Sequence, residues 1–315
     1  MSEPVLALDI GGTKIAAALV TGGHVGEVCR VATPASQGPE AVVAAAVAVA
    51  KEARGESRPV LVGIGSAGVI DSTNGVVTHA TDALPGWAGT PLARGVSEGL
   101  GLAAYALNDV HAHALGEASF GAGRGLRDVL LVAVGTGVGG AVVHRGEVIF
   151  GAHAVAGHLG HIPASEAAGL PCTCGRVGHL EALASGPGLA AALRREGGSA
   201  QNGRDVVVQA GQLGAAGEAA RAVLTLGGVA LGRVIGGLVN TLDPDVVVLA
   251  GSVADAGLIW WEAVQDGVRQ EAMDAVRGIP LVPAGAGAAA ALLGAAHFAM
   301  TRHASKTVAD DGQGL

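Results

Sequence analysis

Two glycine-rich turns carry the first chemical signal in this chain. Gly11-Gly12-Thr13-Lys14 follows an acid, Asp9, at the end of the apolar run Val5–Ile10. Glycines at such a turn let the main chain approach a phosphate with no Cβ in the way, and Thr13 and Lys14 add a hydroxyl and a positive charge. A second turn, Gly135-Thr136-Gly137-Val138-Gly139-Gly140, follows the run Asp128–Val134. A third group lies between residues 158 and 181: His158, His161, Cys172, Cys174 and His179. A Cys-x-Cys pair with flanking histidines suits tetrahedral Zn2+, which sulfur and imidazole nitrogen bind well. Gly160, Gly175 and Gly178 let a short loop fold around such an ion. Asp109 follows Asn108 where a strand gives way to a helix. A helix N-terminus favours a charged carboxylate, so this acid is expected to stay ionised, either as a weak base or simply as an N-cap.

These groups need elements to hold them. Gly135, Gly137 and Gly140 satisfy G-x-G-x-x-G, but the dinucleotide fold requires a helix after that loop. Here β-branched residues and a tight turn at Arg145-Gly146 follow, so the segment is predicted as a hairpin. The first turn is likewise flanked by strands, Val5–Ile10 and Ile15–Val20, with a third expected over Val25–Val31. Two strand–turn–strand units far apart in sequence point to a duplicated architecture, two similar domains that each offer a phosphate loop across one cleft. Helices are predicted over Glu40–Ala53, Thr90–Gly99, from Asp109, and over Glu218–Asn240, where apolar residues recur at helical spacing. Val60–Gly65, Ala103–Leu107 and Asp245–Ala250 read as strands, and Val282–Ala299 as a loop entering an alanine-rich helix.

Composition narrows the class. Half of the 315 residues are apolar and only 2% are aromatic, so small side chains and 53 glycines must pack backbones closely. A net charge of −8 without a Lys/Arg cluster argues against nucleic acid as a partner. The start lacks a basic region, so no signal peptide is expected, and Pro283 interrupts the most apolar late stretch, so no membrane span is expected there. Cys29, Cys172 and Cys174 make no disulfide framework, and a reducing cytoplasm is the expected compartment.

In order along the chain, LALDIGGTK, GIGSAGVID, LND, VAVGTGVGG, AGHLGH, CTCGRVGHLEALASG and NTLDPDVVVLAGS resemble the motifs of the ROK family of bacterial sugar kinases. The likeness runs from Leu6 to about Ala299. It implies an α/β, two-domain actin-like ATPase (ribonuclease H-like) fold with a cleft between the domains. Residues 1–108, completed by a helix near 287–301, would form one domain, and 109–286 the other, with the zinc loop. Residues 302–315 are expected to be a disordered tail. The resemblance further implies ATP-dependent phosphorylation of a sugar 6-hydroxyl, Mg2+ with ATP, structural Zn2+ and a homodimer. Family members that repress transcription carry an N-terminal DNA-binding head. The first phosphate loop begins here at Asp9, which leaves no room for one and favours a kinase over a sugar sensor.

Residue by residue, the resemblance makes Asp109 the catalytic base. It assigns Gly68, Asn108, His158, His161 and Glu181 to the sugar. Asp9, Gly11, Gly12, Thr13, Lys14, Thr136, Gly137, Gly139 and Gly251 are assigned to the nucleotide. The metal ligands would be His161, Cys172, Cys174 and His179, the last standing where the family usually has a third cysteine. Glucokinases of the family usually carry Glu where this chain has His158, whereas N-acetylmannosamine kinases carry His. That difference favours N-acetylmannosamine as substrate, with glucose or another hexose as the alternative. Ala83 replaces the Asn usual before Leu-Pro-Gly-Trp, which removes one expected sugar contact.

Overall fold

The computed structural model describes residues 3–81 and 83–312, the last five of these as backbone only. The chain forms two compact units: Met1–Gly125 with Gly146–Ala156 and Gly285–Leu315, and Leu126–Arg145 with Gly157–Ala284.

In the first unit, β1 (Val5–Ile10) and β2 (Lys14–Thr21) form an antiparallel hairpin closed by the first glycine turn. The expected third strand is two short ones, β3 (His24–Val25) and β4 (Cys29–Ala32). Both pair with β2, and the chain breaks step at Gly26, whose N–H goes to the Leu19 carbonyl. The helix α1 (Pro39–Arg54) begins with proline in its first turn, carries Glu40 there, and has Lys51 and Arg54 in its last turn. All three choices suit the helix ends and the macrodipole. Its buried stripe, Val42, Ala46, Val49 and Ala50, keeps helical spacing.

The central strand β5 (Leu61–Ser66) runs parallel to β1 and is buried along its whole length, as a strand covered on both faces must be. A small hairpin, β6 (Val69–Asp71) with β7 (Val76–His79), precedes α2 (Leu92–Leu100). Then β8 (Ala103–Asn108) pairs parallel with β5 and leads into α3 (Asp109–Phe120). The strand order is β3-β2-β1-β5-β8.

The C-terminal helix, Ala290–Gly312, lies against both α3 and β5. A Cβ at Gly116 would run into the Ala290 carbonyl, one at Gly294 into that of Ala112, and one at Gly63 into that of Ala295. Backbone thus packs on backbone here, so Ala at any of the three would force a shift costing about 1–3 kcal/mol.

Two sequence expectations are corrected. The division does not fall after residue 108: α3 belongs to the first unit, because its glycine face seats the C-terminal helix. The segment expected as a disordered tail continues that helix to Gly312, since no glycine or proline occurs between residues 302 and 311; residues 313–315 lie outside the described residues.

The second unit repeats the plan. An antiparallel hairpin, β9 (Asp128–Val134) and β10 (Val138–His144), is followed by parallel strands Val246–Ala250 beside β9 and Leu281–Pro283 beyond it. Around this sheet lie α4 (Glu181–Ala184), α5 (Gly186–Arg195), α6 (Gly203–Ala210), α7 (Ala215–Leu242) and α8 (Leu258–Glu271). By length and composition α7 is apolar enough to cross a membrane. Its Leu224, Leu231, Ile235 and Val239 are instead fully buried in the unit's core, and Gly228 and Gly232 let α8 approach closely.

Candidate functional site

Register brings the first set of candidate residues together. Asp9 is the last residue but one of β1, and Ile10, Ser66 and Asn108 lie side by side at the ends of three parallel strands. Ligands of open α/β sheets gather at such carboxyl ends. The first glycine turn is closed by Gly11 N–H donating to the Lys14 carbonyl at 3.0 Å. Thr33, which sequence reasoning missed, pins it twice: its hydroxyl donates to the Gly11 carbonyl at 2.7 Å and its N–H to the Thr13 carbonyl at 3.0 Å. Gly12 lies against Ala83; a Cβ on it would stand 3.1 Å from that of Ala83.

Asn108 is the N-cap of α3, its oxygen accepting the N–H groups of Val110 and His111. Its amide donates to the Gly68 carbonyl at 2.9 Å and to Asp109 Oδ1 at 2.8 Å. Asn108 therefore aims Asp109 and holds the Gly68 turn, where φ is +100° and only glycine sits without strain. Trp87, also missed, is buried beneath, its indole N–H on Ser66 Oγ and the Ala67 carbonyl.

The sequence expected the helix terminus to keep Asp109 ionised. Burial wins instead and pushes its pKa above the ordinary carboxylate value, although the Val110 N–H and the Asn108 amide pull the other way. Burial, helped by the charge of Asp109, raises Asp9 to about 6 against a small opposing effect of Lys14.

In the second unit, Thr136 and Gly137 form the turn after β9, and Gly139 pairs with Ala133 across the hairpin. Gly251 has φ +89°, and a Cβ there would run into the Val134 carbonyl, so the strand Val246–Ala250 can turn there only on glycine. A cavity of about 560 Å3 opens beside this turn, lined by Gly135, Thr136, Gly186, Asn202, Arg204 and Ser252 among others. That volume suits a small ligand. Two helices begin at it, α5 capped by Ser185 and α6 capped by Asn202, and helix N-termini favour anions. Sequence reasoning missed Gly186, Asn202 and Arg204; the Ser-Gly-Pro and Asn-Gly starts of these helices were the available signal. Glu181, the first residue of α4, accepts the Val138 N–H at 2.9 Å and the Thr173 hydroxyl at 2.7 Å.

Of the five residues grouped from the sequence, the four that the ROK resemblance selects, His161, Cys172, Cys174 and His179, come together, with one donor atom from each lying within 4.8 Å of the others. Cys172 Sγ is 3.6 Å from His161 Nδ1, and Cys174 Sγ is 3.3 Å from His179 Nδ1. Ligands on a tetrahedral Zn2+ with ordinary Zn–S and Zn–N lengths stand roughly 3.6 Å apart, so both the donor set and the spacing fit. The loop is preshaped by main-chain bonds: Cys172 N–H reaches the Arg176 carbonyl and Gly175 N–H the Cys172 carbonyl, with Gly175 at φ +82°. The His158 ring stacks on His161, centroids 6.4 Å apart and 25° between planes.

One sheet plan used twice, with a glycine turn at the head of each copy, gives the two-domain actin-like fold of an ATP-dependent sugar kinase. The chain belongs to the ROK family, whose model matches residues 5–302. It is 36% identical over 249 residues to an N-acetylmannosamine kinase of Escherichia coli strain 55989, covering 79% of this chain and 82% of that one. Over 271 residues it is 32% identical to a glucokinase of Halalkalibacterium halodurans, covering 80% and 81%. The crystal structure of a ROK family glucokinase from Streptomyces griseus, in complex with glucose and AMPPNP, superposes with a TM-score of 0.81 at 29% identity, covering 95% of this chain and 99% of that one.

Proposed function

We propose that the protein transfers the γ-phosphoryl group of Mg2+–ATP to the 6-hydroxyl of N-acetylmannosamine. The Asn108–Asp109 pair carries this reading. Phosphoryl transfer asks for positioning, charge neutralisation and an acceptor for the hydroxyl proton. Asp109, aimed by Asn108 and made a stronger base by burial, is that acceptor. Bound with ATP, Mg2+ supplies the positive charge that neutralises the phosphates. Asp9 is the carboxylate beside the first glycine turn that would face it. The hairpin around Thr136 and Gly137 and the cavity beside it take the nucleotide. Zn2+, held by His161, Cys172, Cys174 and His179, would cross-link the loop and take no part in the transfer.

For the sugar, His158 decides. An imidazole in place of a carboxylate accepts and donates differently, and the 36% identical relative phosphorylates N-acetylmannosamine by name. Glucose is the second reading. It is supported by the 32% identical glucokinase and by the stacking of His158 on His161, which gives that ring a packing role. A coupled ADP-release assay with Mg2+–ATP tests both. The expected result is a kcat/KM on N-acetylmannosamine at least about tenfold above that on glucose, the size that one well-made polar contact can supply. The reverse preference would remove His158 as the determinant.

A further inference from the structure

Thr173 lies between the two cysteines of the metal-binding loop, and its side chain is exposed. Its hydroxyl donates to Glu181 Oε1 at 2.7 Å, a charge-assisted bond, while Glu181 Oε2 accepts the Val138 N–H at 2.9 Å. Gly137, the neighbour of Val138, sits directly under the same carboxylate; a Cβ on it would stand 2.6 Å from Oε2. Glu181 is thus a strut, one oxygen in the loop of Cys172 and Cys174, the other on the turn after β9. It begins a helix of only four residues, Glu181–Ala184, and one turn of helix is poorly ordered by its own bonds. Two hydrogen bonds from opposite sides do what the helix alone does not.

We infer that Thr173 is a positioning residue: its hydroxyl holds the Glu181 carboxylate on the Val138 amide, and so couples order in the metal-binding loop to the geometry of the glycine-rich phosphate turn. The nucleotide part of this inference rests on the kinase reading above, whereas the coupling itself does not. Loss of the metal would leave only the loop's main-chain bonds to shape the segment that carries Thr173, and so weaken its hold on Glu181 and on the Val138 N–H.

Hydrogen exchange at the Val138 amide, followed in the metal-loaded full chain, tests the coupling without turnover. Thr173→Val is expected to speed that exchange about tenfold, the worth of one charge-assisted bond, and metal stripping of the unaltered protein is expected to do the same. Thr173→Ser keeps the hydroxyl and restores slow exchange. In steady state Thr173→Val raises the KM for ATP about fivefold with the metal content intact; the KM for the sugar does not discriminate, because Glu181 is also a candidate sugar contact. Unchanged Val138 exchange in both the variant and the stripped protein overturns the inference. So does an unchanged KM for ATP in Thr173→Val. Should Thr173→Val lose its metal, Thr173→Ala removes the hydroxyl without a second branch beside the carboxylate and carries the same expectations. Failure of the kinase reading would appear separately, as no sugar-dependent ADP release by the unaltered protein.

Discussion

Replacing Asp9 by asparagine should make the protein more stable and less able. Asp9 has a pKa of about 6 in the fold against an ordinary value of 3.8, because burial and the charge of Asp109 disfavour its ionised form. Below pH 3.8 both folded and unfolded chains hold the proton, and the group costs nothing. Between pH 3.8 and 6 the unfolded chain releases it while the folded chain keeps it, so stability falls as pH rises. Above pH 6 the loss is complete. The gap in proton affinity converts to roughly 3 kcal/mol at about 1.4 kcal/mol per tenfold change. Part of the side chain still meets solvent, so the observable gain for Asp9→Asn is about 1–3 kcal/mol at pH 8. Urea denaturation of both proteins from pH 4 to 8, without nucleotide, measures it. The difference should be small at pH 4, grow to pH 6 and then level, while ADP release by the variant falls to background. A difference that stays flat across the range would show that Asp9 carries no strain from burial, and the electrostatic argument would fail with it.

Three further expectations follow from named contacts. Glu117 is fully buried and accepts the N–H groups of Ala122, Gly285 and Ala286 at 2.8–2.9 Å. Glu117→Ala strands three donors and should cost about 3–5 kcal/mol of stability by denaturant titration; a loss below 1 kcal/mol would mean that water replaces the carboxylate freely. Asp109→Asn should abolish transfer while calorimetry still detects sugar binding, and retained turnover would remove Asp109 as the base. Metal analysis of the purified chain should find about one zinc per chain, lost together with thermal stability in His179→Ala. Well below one zinc in the unaltered protein would sink the metal assignment.

What was legible in the sequence was local. Val5–Ile10 and Asp128–Val134 are apolar runs stopped by glycine, and they are strands with those bounds. Rejecting the dinucleotide fingerprint was possible because β-branched residues follow Gly140, and Val138–His144 is indeed a strand. The five candidates His158, His161, Cys172, Cys174 and His179 lie close together in the chain, and the ROK resemblance narrowed them to the four that meet. What was not legible depended on distant partners. Nothing near Asp109 tells that α3 serves as a seat for a helix beginning at residue 290, because the signal is shared between Gly116 and Gly294. Thr33 reaches Gly11 across 22 positions. The state of Asp109 turned on a contest between helix terminus and burial, and sequence supplies only the first of these.

The C-terminal helix has a consequence for the order in which the molecule is made. The sheet around β1 and β5 leaves the ribosome before any of the second unit, yet the helix that covers it leaves after all of that unit. The second unit ends at Ala284, and all of it is synthesised before that helix begins. The half of the protein that is born first is therefore finished second. Until residue 290 and beyond emerge, Gly63 and Gly116 face outward as bare backbone, a surface for a chaperone to guard.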